Sequence, residues 1–91
     1  MNRKAVITGM GVVTPIGVGL SAFRKSLREG ICGAGPIQSF DAEKFPVKEA
    51  FEVKNFEARS HGTHLLDPFI QYAVAASGEA IQNAFFEPEH V

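Results

Sequence analysis

Ninety-one residues suffice for one small domain and exclude two, and at this length only roughly 60 to 65% of the unfolded chain's surface is buried on folding, so stability is expected to be marginal. A hydrophobic share of 45% and a charged share of 21% are those of ordinary globular chains, which sets disorder and fibrous repeats aside. Nine basic against ten acidic residues, with no cationic run, exclude a nucleic-acid phosphate backbone as the expected partner.

The basic start, residues 1–4, followed by apolar residues superficially resembles a secretory leader. Glycines at 9, 11, 17 and 19 and Pro15 break that apolar run, and no small-x-small cleavage pattern comes after it. No stretch approaches the roughly 18 to 20 apolar residues needed to cross a bilayer. A soluble, cytoplasmic protein is the expectation, and the single Cys32, which cannot form an internal disulfide, is compatible with a reducing compartment.

Ala5, Val6, Ile7 and Thr8 form a short, largely β-branched run stopped by Gly9, as in a strand buried on both faces. Val12 to Thr14 extend it, and Pro15, lacking an amide hydrogen, ends the pairing. Leu20, Phe23 and Leu27 recur at helical spacing over 20–29, with Ser21 as candidate N-cap and Gly30 where a left-handed residue closes a helix. Three glycines and a proline make 30–38 a loop that contains Cys32, and 41–44 offer one helical turn before Pro46. Phe51 and Val53 alternate with Glu52 and Lys54 within 49–56, the pattern of a half-buried strand. Residues 57–64 are polar, with Gly62 near their middle, and read as an exposed connection.

Asp67-Pro68 opens the clearest element, an N-cap acid followed by proline at the first helical position, where a missing amide hydrogen costs nothing. Ile70, Ala73, Val74, Ser77, Ala80, Ile81, Ala84 and Phe85 mark one face through about five turns, until Glu87-Pro88 ends the helix. The order strand, helix, loop, strand, long helix belongs to the α/β class. One or two strands cannot cover the apolar faces of two helices, so further polypeptide is expected against them.

Candidate chemistry is sparse. Gly9-Met-Gly11 after a strand resembles the opening of a dinucleotide-binding fingerprint, but Thr14 stands where the third glycine belongs and Pro15 interrupts the phosphate-binding helix. A tight turn with close backbone packing is the better explanation. Cys32 has no adjacent base and no helix N-terminus to activate its thiol, so it reads as an inert loop cysteine. His61 and His64 are three apart, yet Gly62 disfavours a helix between them and no third ligand accompanies them, so no metal site is expected. The carboxylates at 49, 52 and 57, or 87 and 89, are explained by surface solubility rather than acid–base work.

The fourteen positions Lys4-Ala-Val-Ile-Thr-Gly-Met-Gly-Val-Val-Thr-Pro-Ile-Gly17 are similar to the start of the β-ketoacyl-acyl carrier protein synthases, especially the elongating synthase II type and its polyketide relatives. The resemblance continues through Gly30-x-x-Gly-x-Gly-Pro-Ile37, Phe40-Asp41 with Phe45-Pro46, Val53-Lys-Asn-Phe56 and Leu66-Asp-x-Phe-Ile-Gln-Tyr-Ala73. It implies a thiolase-like, layered αβαβα fold, incomplete here, with residues 1–91 as the amino-terminal segment of its first half and no complete second domain. It also implies decarboxylative Claisen condensation of an acyl thioester with malonyl-acyl carrier protein, without a cofactor, in a homodimer or a ketosynthase heterodimer.

The family's nucleophilic cysteine and paired histidines match no position of this chain, Cys32 included. No catalytic residue is therefore assigned, and the 91 residues alone are expected to be inactive. Synthases of this type carry several Arg and Lys residues ahead of the Asp-x-Phe-Ile-Gln-Tyr segment that help to dock the acidic carrier protein. Here His61, Gly62, Thr63, His64 and Leu65 occupy that place, so His61, Thr63, His64 and Leu65 are the candidate carrier-facing residues, with weaker electrostatic steering. That departure opens one alternative, a non-catalytic partner resembling a chain-length factor; a second alternative, a freestanding binding module, would require the 91 residues to bury their own helix faces.

Overall fold

In the computed structural model the described residues are 2–58, 62 and 64–85. They divide into two compact units, one of residues 2–12 with the described residues from 57 onward and the other of residues 13–56.

The second unit opens with a hairpin. Strand β1, Val13–Thr14, pairs antiparallel with β2, Gly17–Val18, in the register Val13↔Val18 and Thr14↔Gly17. Pro15 and Ile16 form the turn, so pairing stops at Pro15 as expected and resumes on the way back. The Thr14 hydroxyl fastens the turn, donating to the Gly17 carbonyl at 2.8 Å and accepting from the Ile16 amide at 3.3 Å.

Helix α1, Leu20–Glu29, comes next with the bounds that the sequence predicts and packs on β2. Its N-cap is Gly19 rather than Ser21, because the backbone is already helical at Leu20. Gly30, with φ 68°, closes the helix in a Schellman motif, its amide on the Leu27 carbonyl at 3.3 Å and that of Ile31 on the Ser26 carbonyl at 3.0 Å. The Ser26 hydroxyl donates to the Ile16 carbonyl at 2.6 Å and ties the helix to the hairpin turn.

A second antiparallel ribbon lies inside what composition marks as loop and strand. Strand β3, Gly35–Pro36, pairs with β4, Glu49–Ala50, in the register Gly35↔Ala50 and Pro36↔Glu49. The expected strand over 49–56 is thus only two residues long. Its partner ladder is equally short and contains Pro36, which has no amide hydrogen to donate, and Phe51 stays 67% exposed. The expected helical turn over 41–44 is instead a hydrogen-bonded turn, in which the Asp41 carboxylate accepts from the Glu43 amide at 3.1 Å and the Phe45 amide donates to the Ala42 carbonyl at 3.0 Å. Ala42 is the buried apolar side chain of this unit.

In the first unit, helix α2 runs Pro68–Asn83, with Asp67 as N-cap and Pro68 at its first position, as the sequence predicts. The Asp67 side chain makes no capping hydrogen bond. The helix stops before the predicted end, because Ala84 is its C-cap and Phe85 turns to φ 54°. Residues 9–12 run along α2, and the expected strand over 5–8 lies in an extended segment that joins no ladder among the described residues. Val6 is 78% and Ile7 82% exposed instead of buried on both faces, since among the described residues nothing covers the faces of this segment.

The contact between residues 9–12 and α2 explains the Gly-x-Gly spacing. A Cβ on Gly9 would meet the Ala80 carbonyl oxygen and the Ala84 Cβ, and one on Gly11 would overlap the Ala76 carbonyl oxygen. Two residues of extended chain and one helical turn advance by similar distances, so glycines two apart match alanines four apart. The same register places two side-chain acceptors. Asn83 Oδ1 receives the Met10 amide at 3.1 Å, and Glu79 Oε1 receives the Val12 amide at 3.0 Å.

This face of α2, with Ala75 buried and Ala76, Ala80 and Ala84 half-buried, differs from the predicted stripe. Ile70, Ala80 and Ala84 do turn inward, whereas Ala73, Val74, Ser77 and Ile81 form an adjacent face that is exposed. Periodicity cannot separate the two, because small and apolar residues occupy both.

Candidate functional site

Of the four candidate carrier-facing residues, His61 and Thr63 lie outside the described residues. His64 and Leu65 sit in the turn that leads into α2, and both are exposed, Leu65 to 90%. Just beyond, the Gln71 side-chain amide donates to the Leu66 carbonyl at 2.6 Å, which secures that turn against the first turn of the helix. Phe69 is 71% exposed one residue into the helix, so Leu65 and Phe69 add apolar surface around the start of α2. No Arg or Lys occurs between 61 and 71, so the described residues of this stretch present apolar side chains and His64 rather than a fixed positive charge.

Cys32 lies in the second unit at a cleft of about 400 Å³, whose walls include Ile16 and Val18 of the hairpin, Ile31, Lys54 and Asn55. The Lys54 ammonium donates to the Gly33 carbonyl at 2.7 Å and to the Glu52 carbonyl at 3.2 Å, closing the segment after α1 against the segment after β4. Asn55 turns there with φ 59°, a conformation that asparagine tolerates better than most residues. Among the described residues no histidine or carboxylate lines the cleft beside the exposed thiol. The loop reading of Cys32 agrees with this geometry. Lys54 and Asn55 had no local signal that would join them to Cys32, more than twenty residues earlier in the chain.

The remaining candidates separate. The chain continues from Gly9-x-Gly11 into a hairpin and not a helix, and the room beside the two glycines is taken by the α2 backbone. The expected close backbone packing is therefore present, whereas the expected tight turn is not, because residues 9–12 run along α2 without turning. Among the described residues no three His, Cys, Asp or Glu side chains come together in a way that could hold a metal ion. None of their helices is long and apolar enough to cross a membrane.

Residues 2–91 match the family described as β-ketoacyl synthase, N-terminal domain. The chain belongs to the β-ketoacyl synthase family. It is 36% identical over 87 residues to 3-oxoacyl-[acyl-carrier-protein] synthase 2 of Staphylococcus aureus, covering 91% of this chain and 21% of the relative. The synthase of the same name from Synechocystis sp. is 38% identical over 87 residues, with the same shares covered. A solved structure titled the ishigamide ketosynthase/chain length factor superposes with a TM-score of 0.78 at 36% identity, over 94% of this chain and 22% of that one.

The β-ketoacyl synthase chain thus spans about a fifth of the length of the relatives it matches. Its mixed helix and strand architecture is that of the amino-terminal part of a thiolase-like ketosynthase. Cys32 falls within the matched region and carries no catalytic assignment.

Proposed function

We propose that residues 1–91 form the amino-terminal segment of the first thiolase-like half of a condensing enzyme, with no complete second domain among them. The observation that carries this reading is the family match over residues 2–91. In the proposed reaction an acyl group is held as a thioester on an enzyme cysteine. Malonyl-acyl carrier protein loses carbon dioxide, its α-carbon forms the new carbon–carbon bond to the acyl carbonyl, and the cysteine thiolate leaves. This chain contributes scaffold to that reaction, and the nucleophile belongs to residues beyond it.

The proposed partners are an acyl carrier protein, acyl and malonyl thioesters, and a second ketosynthase subunit in a homodimer or heterodimer. Cytoplasmic residence accords with those partners. His61, Thr63, His64 and Leu65 are proposed to face the carrier protein, supported by the exposed positions of His64 and Leu65.

A second reading, a non-catalytic partner resembling a chain-length factor, is favoured by the ketosynthase/chain length factor neighbour and by the lack of Arg or Lys over residues 61–65. One experiment separates the two. Formation of the 3-oxoacyl thioester from an acyl thioester and malonyl-acyl carrier protein is measured with residues 1–91 alone and with the longer polypeptide that continues them. We expect no 3-oxoacyl product from the 91 residues and turnover from the longer polypeptide, abolished when its nucleophilic cysteine becomes alanine, because the acyl group then has no thiol to occupy. A longer polypeptide that has another residue at that position and is silent without an active partner would establish the second reading.

A further inference from the structure

Beyond the β3–β4 ladder the ribbon is closed by the Ile37 amide on the Lys48 carbonyl at 3.0 Å, and the chain then folds back on itself. Three donors of the returning segment converge on one carboxylate. The Gln38 amide reaches Glu52 Oε1 at 2.9 Å, while the Ser39 amide at 3.3 Å and the Ser39 hydroxyl at 2.5 Å reach Glu52 Oε2. The folded-back loop carries the Phe40–Phe45 pair, edge to face with centroids 5.7 Å apart, and both rings are more than half exposed.

We propose that Glu52 is a charge-dependent clasp, whose ionised carboxylate holds the 38–47 loop folded back with its aromatic pair in place and whose neutralisation releases that loop. A neutral carboxyl keeps its shape but loses acceptor strength toward all three donors together, and hydrogen bonds to a charged acceptor are the stronger kind. The Ser39 hydroxyl first and then the Gln38 amide, with lesser help from the Ser39 amide and the Lys54 charge, hold the Glu52 carboxyl below the usual carboxylate range against the opposing effect of desolvation. A lowered folded-state value means that the clasp is complete above the ordinary carboxylate value and is lost as the pH falls through the lowered one. Lys54 is the charged side chain that bears on Glu52, and its own ammonium is engaged with the Gly33 and Glu52 carbonyls. The clasp lies wholly within residues 33–54 and holds whether or not the parent condenses thioesters.

The test is amide exchange and amide chemical shift in the intact chain, with the Ile37 amide, bound to a backbone carbonyl, as internal reference. In Glu52→Gln at neutral pH the Gln38 and Ser39 amides are expected to lose protection by roughly tenfold or more relative to Ile37, the worth of a charge-assisted hydrogen bond. In the unsubstituted chain the Gln38 amide shift is expected to track a single protonation below the usual carboxylate range, and the variant should lack that step. Should Glu52→Gln lose its ribbon altogether, the acid titration of the unsubstituted chain decides. A Gln38 amide that does not titrate with the Glu52 carboxyl carbon, or Gln38 and Ser39 amides equally protected in both proteins, would overturn the clasp.

Discussion

Gly11→Val is expected to destabilise the unit that contains α2 by about 3 to 5 kcal/mol. About 1 to 3 kcal/mol is the usual cost of overpacking, and the remainder is the loss of charge-assisted binding of the Val12 amide by Glu79. The added Cβ would overlap the Ala76 carbonyl oxygen and crowd the Ala80 amide nitrogen. These are backbone atoms of a helix and cannot swing aside as a side-chain end would, so the extended segment must lift away. Lifting it also separates the Met10 amide from Asn83 and the Val12 amide from Glu79. Such a loss rivals the whole stability of a small domain. In the longer polypeptide, where these residues would have their neighbours and unfold cooperatively, urea titration by far-ultraviolet circular dichroism reads it as a transition moved to much lower urea. Gly78→Ala is the matched control, because nothing lies within 4 Å of its added Cβ, and it should stabilise the helix by about 0.5 to 1 kcal/mol. Equal midpoints for Gly11→Val and the unsubstituted chain would show that the register between residues 9–12 and α2 is wrong.

The second large effect concerns apolar surface. Among the described hydrophobic residues only Ala42 and Ala75 are buried, while Val6, Ile7, Leu65, Phe69 and Phe85 are each at least 71% exposed. A buried large side chain supplies about 1.5 to 3 kcal/mol, and two alanines supply far less. The 91 residues in isolation should therefore bind an apolar dye strongly and melt over a broad range while keeping helical circular dichroism, since α1 and α2 have local stop and start signals of their own. A sharp calorimetric transition without dye binding would support a freestanding binding module instead.

What could be read from the sequence divides along the range of the interactions. The bounds of α1 and the start of α2 were legible because Leu20, Phe23, Leu27, Gly30, Asp67 and Pro68 act within a turn or two of themselves. The run Ala5 to Thr8 has strand composition, but a ladder needs a neighbour that these residues cannot supply, so composition overstated what they form here. The alternation of Phe51 and Val53 was misleading for the same reason. The Gly9-x-Gly11 spacing pointed correctly to close backbone packing. Its partner could have been found from the alanines at 76, 80 and 84, whose spacing of four along a helix matches glycines spaced by two along an extended chain. The candidate site was less legible. Cys32, Lys54 and Asn55 meet only through tertiary folding, and the family's chemistry resides at positions that match nothing in this chain.

If residues 5–8 are shaped to lie against polypeptide beyond these 91 residues, the exchange rates of the Val6 and Ile7 amides must differ between the 91 residues alone and the longer synthase polypeptide. Exchange near the unprotected rate is expected in isolation, with slowing by orders of magnitude in the longer polypeptide, where a neighbouring strand would accept these amides. Strong protection of both amides in the isolated chain, or none in the longer one, would show that the segment was not built for an absent neighbour.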